Sequence, residues 1–140
     1  MRDKIQTLNE IRRRWEELSL EVNKRFGNKV GLPEKIYYVE NRSFLARVWS
    51  NSRKVEKLEI NIKCLLPENW NYFINQVIKH EFVHCWDAAK NGKASGHGPP
   101  WKTLMSLLGA APDRCGSWPS EKRGMQPICH TNNLISLDDY

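Results

Sequence analysis

His80-Glu81-Phe82-Val83-His84 is the stretch on which the reading of this sequence turns. In an α-helix, residues four apart stand one turn apart along the axis and about 40° apart around it, so His80 and His84 can offer both imidazoles to one metal ion. Glu81 projects beside them. A metal held there would lower the pKa of a water toward about 7, and the glutamate could take the water's proton as it attacks a carbonyl. A pair of histidines at this spacing also occurs on the solvated face of ordinary amphipathic helices, so a catalytic zinc site needs a third protein ligand and an open position. His97 is the candidate third ligand. It follows a Gly-containing loop that can fold back over the helix, it is flanked by Gly96 and Gly98, and it precedes Pro99-Pro100. Asp113, Glu121 and His130 are the competing donors.

Outward from the motif, the helix is expected from about Trp70 to Ala89. Ile74, Ile78, Phe82, Cys85 and Ala89 fall within an arc of about 80° and mark a buried face, with Gln76, Lys79, Asp87 and Lys90 on the far side. Leu66-Pro67-Glu68-Asn69 separates this helix from what precedes it, and Asn91-Gly92 is a stop signal. A further helix is expected from Pro99-Pro100 to about Leu108, closed by Gly109. Upstream, Ile5, Leu8, Ile11, Trp15, Leu18 and Val22 recur at steps of three and four, the stripe of an N-terminal amphipathic helix ending before Gly27-Asn28. Between the helices lie three short segments rich in branched and aromatic residues, Lys35–Glu40, Leu45–Ser50 and Lys57–Ile62, which read as a three-stranded antiparallel meander. After Pro112 the pattern dissolves, and the last 25 or so residues are expected to be irregular.

A chain of 140 residues suits one domain, and 40% hydrophobic with 27% charged residues is a globular composition. No run of about 18 apolar residues exists, which excludes a membrane-spanning helix. Met1-Arg2-Asp3-Lys4 lacks the features of a secretory signal, so a cytoplasmic address is expected. The net charge of +6 is uneven: residues 1–60 hold 14 Lys and Arg against 9 Asp and Glu. Such a half either suits a polyanion such as nucleic acid or is simply a solvated surface. Cys64 and Cys85 read as small core residues, and no cysteine pair has Cys-x-x-Cys spacing, so reduced thiols are expected.

His80-Glu81-Phe82-Val83-His84, followed by Gly96-His97-Gly98-Pro99-Pro100-Trp101, resembles the SprT-like metallopeptidases, which include the Spartan proteases. Leu32-Pro33-Glu34-Lys35-Ile36, the strand containing Ala46-Arg47-Val48-Trp49 and the strand Leu58-Glu59-Ile60-Asn61 extend the resemblance over about residues 5–115. A metzincin is excluded, because Asp87 and Lys90 stand where its glycine and third histidine would be.

The resemblance implies a single α+β zincin-like domain over residues 1–115, with an irregular tail at 116–140. It implies one zinc ion per chain on His80, His84 and His97, with Glu81 as general base. It also implies an endopeptidase, commonly DNA-dependent, for proteins bound or crosslinked to DNA; the compact size and cut-down tail are compatible with a bacterial or phage-infected cell. The departure is the tail, which reads as a shortened zinc ribbon: Cys115, Cys129 and His130 are too few to close a second tetrahedral site. DNA contact then falls to Arg12, Arg13, Arg14, Arg42, Arg47, Arg53 and Lys54. Trp49, Tyr37 or Tyr38 are available for base stacking, although Trp15, Trp49, Trp86 and Trp101 are better read as packing residues. Two other readings stay open: a zinc hydrolase acting on another amide, and a zinc-stabilised DNA-binding module without catalysis.

Overall fold

In α1 (Lys4–Phe26) the apolar stripe buries Ile11, Trp15, Leu18 and Val22, whereas Ile5 at its start is exposed. Asp3 caps the helix by accepting the Gln6 N–H at 2.8 Å, and Gly27 ends it with φ at 75°. These features come from a computed structural model, which describes residues 1–40, 44–92, 96–121 and 126–128.

Strands β1 (Lys35–Val39), β2 (Ala46–Ser50) and β3 (Val55–Asn61) form a sheet in the order β1-β3-β2. The expected antiparallel meander is corrected here. β2 and β3 do form an antiparallel pair, but β1 runs parallel to β3, with Ile36 opposite Leu58 and Tyr38 opposite Ile60. β3 buries Val55, Leu58, Ile60 and Asn61, while β1 buries none of its residues fully. The strand with most to bury takes the centre, and the half-exposed one takes an edge.

A 3₁₀ turn at Ile62–Leu65 leads into one long helical stretch: α2 (Pro67–Tyr72), a π-turn at Phe73–Val77, and α3 (Ile78–Asn91). It starts earlier than the apolar pattern indicates, because Pro67 sits in the first turn, where a missing N–H costs nothing. Gly92, with φ at 83°, closes it. α4 (Pro99–Leu107) completes the helices, which makes the architecture α+β. The core lies between α1, the sheet and α3, with the Trp15 ring edge-on to Phe82 at 5.2 Å. Trp15, Trp86 and Trp101 are buried and Trp49 is half-buried; Cys64 and Cys85 are core residues.

The chain beyond α4 is more ordered than expected. Cys115–Gly116 (β4) pairs antiparallel with Gln126–Pro127 (β5). Trp118 is buried against Tyr72 and Phe73, and Asn69 bonds Ser120 twice, at 2.8 and 2.9 Å. A Cβ on Gly116 would lie 1.9 Å from the Tyr72 hydroxyl, so any side chain there would have to displace the Tyr72 ring. Among the described residues no helix is long and apolar enough to cross a membrane.

Candidate metal centre

α3 is expected to bury one face, yet every residue from His80 to Ala88 is buried. Ile78, Phe82 and Cys85 belong to the apolar core. On the opposite side, where periodicity places Asp87, His80, His84 and Asp87 are covered as well. The histidines of that face are covered by Trp101 of α4 and by His97. Trp101 stacks on His84 at 5.5 Å and stands edge-on to His80 and His97, each at 4.7 Å, and its indole N–H donates to the His80 carbonyl at 3.3 Å.

The three imidazoles converge through their Nε2 atoms. His97 Nε2 lies 3.1 Å from His80 Nε2 and 3.2 Å from His84 Nε2. A ring nitrogen either donates one hydrogen or accepts one in its plane, so the two contacts of His97 Nε2 cannot both be good hydrogen bonds. A shared cation resolves this conflict. Metal–nitrogen bonds of about 2.0–2.1 Å around a tetrahedral ion bring neighbouring donors to about 3.3 Å, close to the observed separations. The donor set therefore fits a metal ion. Among the described residues these three form the one group of potential ligands close enough for it.

Electrostatics supports the same conclusion. Burial drives the pKa values of His80 and His84 well below the usual imidazole range, and the neighbouring imidazoles push the same way. His97 falls to about 4, first from burial and then from the Arg114 and Lys102 cations. All three rings are therefore neutral at neutral pH, which is the form that binds metal. The Asp113 main chain acts on His80 in the opposite direction through a hydrogen bond. Glu81 follows His80 on α3, and both its carboxylate oxygens are buried.

The segment that presents Asp113 is fastened to the long helix. The Gln76 amide, from the π-turn, donates to the Ala111 carbonyl at 2.7 Å and accepts its N–H at 3.0 Å. Lys79 donates to the Leu108 carbonyl at 2.8 Å, capping α4. Neither Gln76 nor Trp101 stands out by composition as a residue of the centre. The one signal for Trp101 is its place four residues after His97, in the first turn of the helix that follows.

Of the competing donors, Glu121 pairs with Lys63, Asp113 reaches His80 through its main chain, and His130 lies outside the described residues. The basic candidates are scattered. Arg12, Arg13 and Arg53 are exposed, with Arg13 and Arg14 both at Glu17 (4.0 and 3.4 Å), and Lys54 is 3.2 Å from Glu34. Arg47 is spent within the fold: it meets Glu59 at 2.5 Å and lies against the Phe44 and Trp49 rings. Arg42 lies outside the described residues, as do Cys129 and His130 of the suspected second site, while Cys115 is half-buried in β4.

Two imidazoles one turn apart on a buried helix, a third returned by the next loop and a glutamate beside the first define a three-histidine centre of the His-Glu-x-x-His type. The chain belongs to the SprT-like family, whose model matches residues 2–121. It is 30% identical over 105 residues to Protein SprT of Escherichia fergusonii, covering 74% of this chain and 59% of that one. Protein SprT of Shigella boydii is 28% identical over 104 residues, covering 74% and 60%. The match thus spans about three-fifths of the length of these relatives. No solved structure gives a significant match.

Proposed function

We propose that this chain is a zinc-dependent endopeptidase that acts on proteins bound or crosslinked to DNA. The convergence of the His80, His84 and His97 nitrogens beside Glu81 carries this reading. Imidazole donors suit zinc, and three of them leave a tetrahedral ion one position for water or substrate. When bound, such an ion supplies Lewis acidity, polarising a carbonyl and lowering the pKa of a water to about 7. The chain's own residues supply the rest. Burial keeps the three imidazoles neutral, and Trp101 packs against all three rings. Glu81 accepts the proton of the attacking water at its carboxylate and can return it to the departing amine. The DNA dependence rests on the charge excess of residues 1–60, on exposed Arg12, Arg13 and Arg53, and on what membership of the family implies.

The test is Glu81→Gln. It should keep its zinc and lose about 10²- to 10⁴-fold in turnover, the usual contribution of a general base. Turnover within a few-fold of the parent would remove Glu81 from that role. Metal binding without hydrolysis of any protein would favour the non-catalytic module, and hydrolysis confined to non-protein amides the other hydrolase. DNA dependence is tested by cleavage of a DNA-binding protein with and without single-stranded DNA, in the parent and after charge removal at Arg12, Arg13 and Arg14 or at Arg53 and Lys54. Steep salt dependence that flattens in these variants is expected, and equal rates throughout would remove DNA from the mechanism.

A further inference from the structure

Beside the metal centre lies a hollow of about 410 Å³ lined by His97, Lys102, Pro112, Asp113, Arg114 and Cys115. His97 is the one ligand only half-buried, so this hollow is the side from which the centre is open to solvent. Two cations stand in its walls. Lys102 comes from the second turn of α4 and Arg114 from the segment fastened by Gln76, so each is carried by a braced element. Neither has a carboxylate partner among the described residues, a state they share with surface cations such as Lys4, Arg12 and Arg53; what sets them apart is their place beside the centre. The third charge of the hollow, Asp113, also lines a neighbouring hollow with Tyr72 and Gln76, and its charge is felt by Tyr72.

We propose that this hollow is an acid-selective subsite, in which Lys102 and Arg114 receive an aspartate or glutamate side chain of a polypeptide substrate close to the scissile bond. The proposal deepens the peptidase reading and rests on it for the nature of the substrate. A peptide carbonyl brought to the centre from this side carries its neighbouring residues past His97 and along the hollow that these cations line. Both stand close enough to His97 for their charge to reach it, and the positive end of the α4 dipole adds to the same potential. With Lys102 and Arg114 against the single Asp113 carboxylate the hollow has a positive excess and selects by charge, because a basic side chain placed there meets net repulsion and an acidic one gains an ion pair. A nucleic-acid backbone fits the hollow less well. Its lining holds no aromatic ring other than the ligand His97, so an unpaired base would find no stacking surface.

The test uses the full chain loaded with zinc. Binding of a labelled, unstructured peptide to the Glu81→Gln protein is measured by fluorescence anisotropy, with one central position carrying Glu, Gln or Lys. The same three peptides are given to the parent for hydrolysis. Binding of the Glu peptide about three- to ten-fold tighter than the Gln peptide is expected, with the Lys peptide weakest, because exposed ion pairs are each worth only a few-fold. In a variant that adds Lys102→Glu and Arg114→Glu to Glu81→Gln, the order should reverse with zinc content unchanged. Two results would overturn the proposal: the same order of binding in that variant, or equal binding of the three peptides by the Glu81→Gln protein with single-stranded DNA bound there and released by the added Lys102→Glu and Arg114→Glu. Hydrolysis of all three peptides without charge preference would remove the subsite and keep the peptidase. Acid-selective binding without any hydrolysis would keep the subsite and remove the peptidase.

Discussion

The two faces of α3 are both buried, and they are buried for different reasons. Ile78, Phe82 and Cys85 face α1 and the sheet, where removing apolar surface from water stabilises the fold directly. His80, His84 and Asp87 are sealed on the other side, where burial of polar groups opposes folding unless partners satisfy them. The first face needs nothing beyond the chain. On the second, three imidazole nitrogens crowd one point, an arrangement that becomes favourable when a cation joins it. One helix thus carries a face that holds the protein together and a face held together by the protein.

The largest expected effect breaks the apolar face. Phe82→Ala removes a fully buried ring seated on Trp15 and should cost about 3–5 kcal/mol, much of the stability of an ordinary domain. Urea unfolding measures it, and the loss should be the same with and without zinc. If zinc restores it, the two faces are not independent.

His97→Ala breaks the other face. With zinc at 100 times its dissociation constant the parent should gain about 2.7 kcal/mol, and the variant should forfeit most of that gain. In the absence of metal its unfolding should move little, because His97 is only half-buried. Full zinc content in the variant would move the third ligand elsewhere.

Gln76→Ala sharpens the comparison, since the amide touches neither face of α3 but pins the segment carrying Asp113. Two hydrogen bonds to partly exposed groups are lost, so about 1 kcal/mol is expected in urea unfolding. Zinc stoichiometry should hold.

A pH dependence complements these substitutions. Burial pushes the Cys64 thiol up to about 12. A folded pKa above the unfolded one means that the stability held by the protonated thiol is full below about 9 and is lost as pH rises toward 12. The phenols of Tyr38 and Tyr72 are raised by burial too, so the parent should weaken above pH 9 on several accounts. Cys64→Ala should weaken less steeply between pH 9 and 10.5, and identical slopes would remove the thiol from the account.

The sequence carries the metal centre more legibly than the sheet. His80 and His84 meet through the local geometry of one helical turn, and His97 follows after a loop too short to travel far. The third strand's alternation was also plain. Its place in the sheet was not: strand order depends on which strand has most to bury on both sides, and β1 joined β3 in parallel. The π-turn was invisible because it adds a residue to a helix whose 3.6-residue period otherwise continues. Asp87 lies on the far side as its periodicity indicates, but its burial was not legible, because periodicity marks the apolar side and says nothing about what covers the polar one.

The amino-acid sequence by itself determined the helices, their glycine stops and the pair of imidazoles on α3, since each follows from interactions within a few residues. Tertiary structure alone decided that Trp101 lies against the three rings, that Gln76 fastens the Asp113 segment, and that Lys102 and Arg114 share a hollow with His97. Those residues come from separate elements, and only the packing of α4 and β4 against the long helix brings them to one place.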